Sequence, residues 1–344
     1  MPLRSSVRFA AVLAAAAMFA TLALAQTSAG KPVAPQSAPG VPATPTPLEA
    51  PTPAAAPITF PKPNPLNFTA DSPSVDTINA FLKASWGFDA NRIWQVEAVL
   101  KTPVPGLTKI LVGVGEKGSG QAPGSLQFFV LPDGKHLIAE DVLPFGAQPF
   151  ADNRKLLIER ANGPARGAAS KELLFVEFAD FQCPHCKEAQ ATVDRLVQEF
   201  PTARFVYENL PLVQIHTEAY KASAYSVCVA KAGGDDAFFK FSKEVFDNQS
   251  FLTPEASDHT LGDAVTKAGL DPAKIAACST SPEAKSAVDA SLKLASDLGV
   301  NSTPTLYVNG RALPLGGPYD KLKEVIAYQI ALDGLKQAGA ASGQ

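Results

Sequence analysis

The sequence predicts an α/β domain at residues 165–340, a small α+β domain ahead of it at 66–160, and a disordered proline-rich linker at 26–65. Short apolar runs and an amphipathic helical pattern alternate over 173–210, as is typical of a strand–helix–strand unit. Both tryptophans and a series of short strand-like runs lie before residue 160. Twelve prolines occupy the linker, which therefore holds too little apolar surface to build a core.

The first 25 residues have the three parts of a secretory signal peptide. Arg4 and Arg8 form a basic start, residues 9–24 are uncharged and rich in alanine and leucine, and Ala23-Leu24-Ala25 fits a cleavage site. Left uncleaved, the same stretch would be a short membrane anchor. We therefore expect a periplasmic or extracellular protein. Its formal net charge of −3 offers no basic surface for nucleic acid.

The small domain begins with a helical pattern over 75–82. Strand-like runs follow at 93–100, 108–114, 126–131 and 135–140, the last two separated by Pro132-Asp133-Gly134 as a hairpin turn. A helix on a curved antiparallel sheet is expected. Gly113-x-Gly115-x-x-Gly118 has the spacing of a dinucleotide-binding loop, but another strand rather than a helix follows it, so we interpret it as a hairpin loop.

The α/β domain carries Cys183-Pro184-His185-Cys186 where the apolar strand 173–178 gives way to a helical pattern that ends before Pro201. Cys183 is expected in the first helical turn, whose unpaired N–H groups and macrodipole favour a thiolate, and Cys186 about one turn further in. This geometry is that of a redox-active dithiol. A zinc site would need a second closely spaced pair, and no further Cys-x-x-Cys exists.

Two further side chains are candidates for the chemistry of the dithiol. The His185 ring, between the cysteines, can donate a hydrogen bond to the Cys183 thiolate or pair with it when protonated; otherwise it is an exposed residue at the helix start. Glu177 lies between apolar neighbours on the predicted strand. A partly buried acid that exchanges protons with Cys186 is expected there, the alternative being a solvent-facing side chain.

With these motifs the chain resembles the thioredoxin superfamily, and more closely its DsbA-like branch, whose periplasmic members carry Cys-Pro-His-Cys in this context. Thr303-Pro304 stands where the family places a cis-proline facing the dithiol, and Asn309-Gly310 supplies a type I′ hairpin turn. A mostly helical insertion at 214–298 separates the two halves, and 319–335 supplies the closing helix. The resemblance implies a thioredoxin fold with a helical insertion.

The resemblance also implies a thiol-disulfide oxidoreductase that forms disulfides in reduced or unfolded exported proteins. The Thr303 backbone would pair with an extended substrate strand, while Pro304 adds no competing donor. No cofactor is needed, but a membrane-bound or soluble redox partner must regenerate the disulfide. Two alternatives stay open: a non-catalytic, chaperone-like binding module, and a DsbC/DsbG-type isomerase. The isomerase would be a homodimer, since residues 128–142 resemble the dimerisation domain of those proteins.

The remaining cysteines, Cys228 and Cys278, lie fifty residues apart in the predicted insertion. An even cysteine count in an exported chain favours a structural disulfide between them over two buried free thiols. Closing that loop would stabilise the fold by ~4 kcal/mol in the chain-entropy model.

Overall fold

The computed structural model describes residues 60–119, 121–140 and 142–335, which divide into two compact units with the boundary after Ala147. The expected signal peptide and most of the proline-rich linker lie outside these residues. Within the described ranges, no helix is both long enough and apolar enough to cross a membrane.

The first unit packs one helix on a five-stranded antiparallel sheet whose strands follow each other in chain order. Its elements are α1 (Val75–Trp86), β1 (Arg92–Lys101), β2 (Thr108–Glu116), β3 (Gly124–Val130), β4 (His136–Ile138) and β5 (Val142–Pro144). Helix α1 begins at Val75 because Ser74 Oγ accepts a hydrogen bond from the Thr77 N–H at 3.1 Å. Ile78 and Leu82 on this helix are fully buried in the core against the sheet.

The glycine series of the first unit lies partly inside a strand. Gly113 is in β2, and a Cβ atom there would come within 2.5 Å of Glu97 Oε1 and 3.0 Å of the Phe60 ring, so a larger residue would displace these side chains. Gly118, with φ of 74°, lies in the turn after β2, as the hairpin interpretation expects.

The second unit confirms the predicted α/β class. It contains a mixed five-stranded sheet in the order β10-β9-β7-β8-β6, with helices on both faces. Its elements are α2 (Ala151–Arg160), β6 (Ala165–Gly167), β7 (Leu173–Ala179), α3 (Pro184–Glu199), β8 (Ala203–Asn209), α4 (Ala219–Asp247), α5 (Ser257–Lys267), α6 (Pro272–Ser279), α7 (Pro282–Asp297), β9 (Thr305–Val308), β10 (Arg311–Pro314) and α8 (Tyr319–Leu332).

Every residue of the central strand β7 is buried, because helices cover both faces of the sheet. Phe175 packs into the core beneath α3, and Val176 into the core on the opposite face. Leu157 of α2 belongs to that opposite core. Helix α2 is therefore part of the second unit, although its residues fall in the segment that the sequence assigned to the small domain.

Strands β9 and β10 form the hairpin that the Asn-Gly pair predicts. Asn309 and Gly310 have φ of 47° and 88°, as a type I′ turn requires. Asn309 Oδ1 also accepts a hydrogen bond from the Leu174 N–H at 2.8 Å, which ties the turn to β7.

Helices α4 to α7 form the predicted insertion between β8 and β9. Cys228 on α4 and Cys278 on α6 are joined in a disulfide, with a Cα–Cα distance of 6.0 Å. The bond links two helices that already pack against each other.

Candidate active site

The two free cysteines of the described chain lie where β7 leads into α3. Cys183 is the N-cap residue of the helix, and Pro184 occupies its first turn, where the missing N–H costs nothing. The Cys183 carbonyl accepts the first helical hydrogen bonds, from Cys186 N at 3.1 Å and Lys187 N at 3.3 Å. Cys183 is 5% exposed and Cys186 is fully buried.

The environment of Cys183 favours its thiolate. Its pKa is lowered to about 5, first by a hydrogen bond from the Cys186 thiol and then by the Thr303 side chain and the backbone N–H groups of Cys186 and His185. Burial acts in the opposite direction. Cys183 is therefore largely ionised at neutral pH.

The environment of Cys186 favours its protonated thiol instead. Burial raises the pKa of its thiol, and so does the hydrogen bond that it donates to Cys183. Its sulfur accepts a hydrogen bond from Asp180 N at 3.4 Å. The two sulfurs thus differ in charge although they lie on one helical turn.

The Thr303–Pro304 peptide bond is cis and lies beside the dithiol. Cys183 Sγ lies 3.5 Å from Thr303 O, to which the thiol donates when it is protonated. The Thr303 hydroxyl oxygen is buried, and no group of the described chain is within hydrogen-bonding geometry of it. Since a hydroxyl proton can rotate, it is available to a thiolate that forms next to it.

Glu177 is fully buried beneath α3. Burial raises its pKa to about 7, while the charge of Arg166 and a hydrogen bond from Gln190 act to lower it. Gln190 Nε2 donates to Glu177 Oε1 at 3.3 Å and to the Cys186 carbonyl at 3.0 Å. One amide therefore connects the acid to the turn that carries the second cysteine.

His185 is placed differently from the other site residues. Its side chain is 77% exposed, and Nδ1 lies 3.0 Å from Glu188 Oε2. The pKa of His185 is raised, first by this hydrogen bond, then by the charge of Glu188 and by that of Cys183. The ring therefore acts on the Cys183 thiolate through charge, while its hydrogen bond goes to Glu188.

Sequence reasoning missed a buried acid three residues before Cys183. Asp180 accepts hydrogen bonds from Gln182 N at 2.7 Å, Leu212 N at 2.7 Å and His216 Nδ1 at 2.8 Å. These bonds fix the segment that leads into the dithiol. A polar residue in an otherwise apolar stretch was the signal that could have indicated it.

Two glutamines, also missed, tie the dithiol segment to the insertion. Gln182 Nε2 donates to Leu252 O at 2.8 Å, and its Oε1 accepts from Glu218 N at 2.6 Å. Gln249 Nε2 donates to the Cys183 carbonyl at 2.9 Å. Gln249 lies far along the chain, and nothing in the local sequence marks it.

No group of three or more His, Cys, Asp or Glu side chains within the described ranges is arranged to hold a metal ion.

Residues 159–327 match the protein-family model for thioredoxin. The Na⁺/H⁺ antiporter NhaA 3 of Salinispora tropica is 28% identical over 155 residues, 45% of this chain and 22% of that protein. The Na⁺/H⁺ antiporter NhaA of Herminiimonas arsenicoxydans is 33% identical over 156 residues, 45% of this chain and 23% of that protein. The chain thus spans less than a quarter of the length of these curated relatives.

Similar solved structures include oxidised BdbD from Bacillus subtilis, at 23% identity and a TM-score of 0.45, covering 49% of this chain and 93% of that one. A thioredoxin-like oxidoreductase from Silicibacter pomeroyi is 25% identical with a TM-score of 0.44, covering 51% and 95%. The family match, the mixed sheet and the dithiol at the start of α3 agree in describing residues 159–327 as a thioredoxin-like domain, with helices α4 to α7 inserted between β8 and β9.

Proposed function

We propose that this chain is a thiol-disulfide oxidoreductase that forms disulfides in exported proteins. The observation that carries the proposal is the opposite shift of the two thiols: the pKa of Cys183 falls to about 5, whereas that of Cys186 rises. Such a pair has one sulfur that attacks and leaves readily and one that stays protonated when reduced.

The exchange starts from the oxidised form. A substrate thiolate attacks Cys183 Sγ, the Cys183–Cys186 bond breaks, and Cys186 leaves as a thiolate that takes up a proton. Glu177, a buried acid whose charge acts on Cys186, would supply that proton. A second substrate thiolate then attacks the substrate sulfur of the mixed disulfide, and Cys183 leaves as a thiolate. Two electrons have moved from the substrate, now a disulfide, to the protein, now a dithiol.

The direction of exchange follows from the stability of the reduced form. A thiolate stabilised by hydrogen bonds is a good leaving group, and the disulfide that contains it is easily reduced. The low pKa of Cys183 therefore favours oxidation of substrates. An external redox partner, bound to the membrane or soluble, then has to accept the two electrons; the exchange itself needs no cofactor.

The substrate would bind as an extended peptide beside the cis-proline. Thr303 offers its backbone for strand-like pairing, and Pro304, which has no N–H, leaves that edge free of a competing donor. The contact between Cys183 Sγ and Thr303 O at 3.5 Å supports this placement, because it brings the attacked sulfur next to the binding edge.

The test is the oxidation of a dithiol peptide by the oxidised full chain. Cys183→Ser should abolish the reaction, whereas the Cys228→Ser, Cys278→Ser double variant should retain it because that disulfide lies in the insertion. A Cys183→Ser protein that still oxidises the peptide contradicts the proposal.

A second candidate is disulfide isomerisation by a homodimer. The separate core of the first unit supports it, because that unit could pair two copies and create a shared cleft. Refolding of a scrambled disulfide protein by the full chain tests the activity, and sedimentation tests the assembly. A monomer without isomerase activity contradicts this candidate.

We place the reaction in the periplasm or outside the cell, because the sequence of the first 25 residues has the parts of a signal peptide. Fractionation of cells that express the full chain tests the location.

A further inference from the structure

Two polar atoms lack hydrogen bonds in the core beneath the dithiol. Glu177 Oε2 and Tyr207 Oη are both buried, and neither has a partner in the part of the chain that the structure describes. Buried polar groups in folded proteins are nearly always satisfied, either by the protein or by an internal water. The two atoms therefore indicate a polar site that the protein's own side chains do not complete.

Strand pairing puts both side chains on the same face of the sheet. In the parallel pair β7 and β8, Glu177 stands opposite Tyr207, and residues paired in register project to the same side. This is the face covered by α3, since Gln190 of that helix donates to Glu177 Oε1 at 3.3 Å. The bond occupies one carboxyl oxygen and leaves Oε2 free.

Tyr207 cannot turn its hydroxyl to bulk water. The side chain is 1% exposed. Its ring stacks on Phe181 at 5.5 Å between centroids and lies 5.0 Å from the Phe238 ring. Burial, and next the charges of Glu177 and Cys186, raise the pKa of Tyr207 well above its ordinary value. The hydroxyl therefore keeps its proton and remains a hydrogen-bond donor.

We propose that Tyr207 is a positioning residue for Glu177, its hydroxyl donating to one internal water that in turn donates to Glu177 Oε2. The part of this inference that concerns proton transfer to Cys186 rests on the proposed thiol-disulfide exchange. When Cys186 leaves as a thiolate, Glu177 gives its proton to that sulfur and becomes a carboxylate. The water and Tyr207 then stabilise the carboxylate in a core that bulk solvent does not reach.

Other charges act on Glu177 as well. The titratable or charged groups that act on Glu177 or on Tyr207 are Cys186 and Asp194 on α3, Cys183 at its N-cap, Arg166 on β6, and Asp180 just after β7. The cation, Arg166, is committed to an ion pair with Asp194 at 2.7 Å. Asp194 thus partly offsets the charge of Arg166, so a neutral hydrogen-bond donor at Glu177 Oε2 stabilises the carboxylate separately from Arg166.

Tyr207→Phe tests the proposal because it removes the hydroxyl and keeps the ring. In the reduced full chain, the pKa of Glu177, followed by NMR of isotope-labelled glutamate side chains, should rise by about one unit, the usual effect of losing a hydrogen bond to a charged group. An unchanged pKa of Glu177 overturns the proposal.

Tyr307→Phe is the matched control. Tyr307 is also buried on a strand of this sheet, but it packs into the core on the opposite face and donates to Leu298 O at 3.2 Å. Its removal should lower stability and leave the pKa of Glu177 unchanged. Equal shifts of that pKa in both variants would assign the effect to loosened packing and refute the role of Tyr207.

Turnover supplies a second readout. Proton donation by Glu177 fails above its pKa, so Tyr207→Phe should move the alkaline limb of the peptide-oxidation profile to higher pH. In a Glu177→Gln background the same substitution should change nothing further, whereas a structural defect would slow both backgrounds alike and overturn the proposal. The NMR titration needs no turnover, so an inactive protein in which the Glu177 pKa still rises would contradict the proposed function alone.

Discussion

Replacing Glu177 by glutamine should make the stability of the second unit less dependent on pH. Glu177 is fully buried, and its pKa rises from 4.5 to about 7 on folding. Between these values the folded protein holds a proton that the unfolded chain has released. Wild-type stability therefore falls as the pH increases through this window, by about 3 kcal/mol in total. Glutamine cannot ionise, so the variant should escape the loss.

The quantity to compare is the change in free energy of unfolding between wild type and variant at about pH 4 and about pH 8. A buried glutamine and a protonated glutamate have similar shape and donor capacity, so packing effects should be similar at both pH values and cancel in the comparison. The variant should gain about 3 kcal/mol relative to wild type at the higher pH.

Urea unfolding in excess reductant, followed by far-ultraviolet circular dichroism, measures this quantity, because seven of the eight described α-helices belong to the second unit. Trp86 and Trp94, the two tryptophans of the chain, lie in the first unit. Their fluorescence therefore reports on the first unit and should be unaffected by the substitution.

Glu199→Gln is a control of opposite sign. Hydrogen bonds from Lys323 and Arg195 lower the pKa of Glu199 to about 2, so this variant should lose stability at neutral pH and less so in acid. If Glu177→Gln shows the same stability difference at both pH values, Glu177 titrates as an ordinary glutamate and cannot serve as the proton donor for Cys186.

Three further predictions concern the cysteines and His185. In Cys186→Ala the pKa of Cys183 should rise above about 5 because its largest stabilising hydrogen bond is lost, yet stay below the ~8.5 of a free cysteine; thiolate absorbance measures it, and an unchanged pKa contradicts the assigned cause. His185→Ala should make the couple more reducing, by a difference that high salt diminishes because the ring is exposed and acts through charge; a salt-independent shift in potential would instead indicate a direct hydrogen bond. The Cys228→Ser, Cys278→Ser variant should lose ~4 kcal/mol of stability at most while peptide oxidation persists, and an unchanged melting temperature would show that the bond contributes nothing.

The parts of the fold that the sequence predicted are those with a local signal. The apolar run before Cys183, the three- and four-residue spacing after it and the Asn309-Gly310 pair each determine their own structure, and each is found where expected. Strand β5 has three residues, too few to show a pattern. Helix α2 was assigned to the wrong side of the unit boundary because its partner strands follow it in sequence, and only packing shows which core it joins.

The site shows the same division between local and distant contacts. The pairing of His185 with Glu188 could have been predicted from the sequence, because residues three positions apart lie on the same face of a helix. The Cys-Pro-His-Cys motif instead predicted a contact between His185 and the Cys183 thiolate. The contact between Gln249 and the Cys183 carbonyl could not be predicted, since a single uncharged side chain in a distant segment produces no pattern in the sequence.

These distant contacts explain why the insertion matters to chemistry that takes place outside it. Gln249, in the insertion, donates to the Cys183 carbonyl, and Gln182, the residue before Cys183, bonds to Leu252 and Glu218 of the insertion. The backbone around Cys183 supplies the N–H groups that lower the pKa of Cys183, because Cys183 is the first residue of the helical hydrogen-bond pattern. The Cys228–Cys278 bond is internal to the insertion and does not touch the dithiol. Its loss should therefore reach the thiolate only when the insertion itself begins to unfold, so stability should decline before the Cys183 pKa changes.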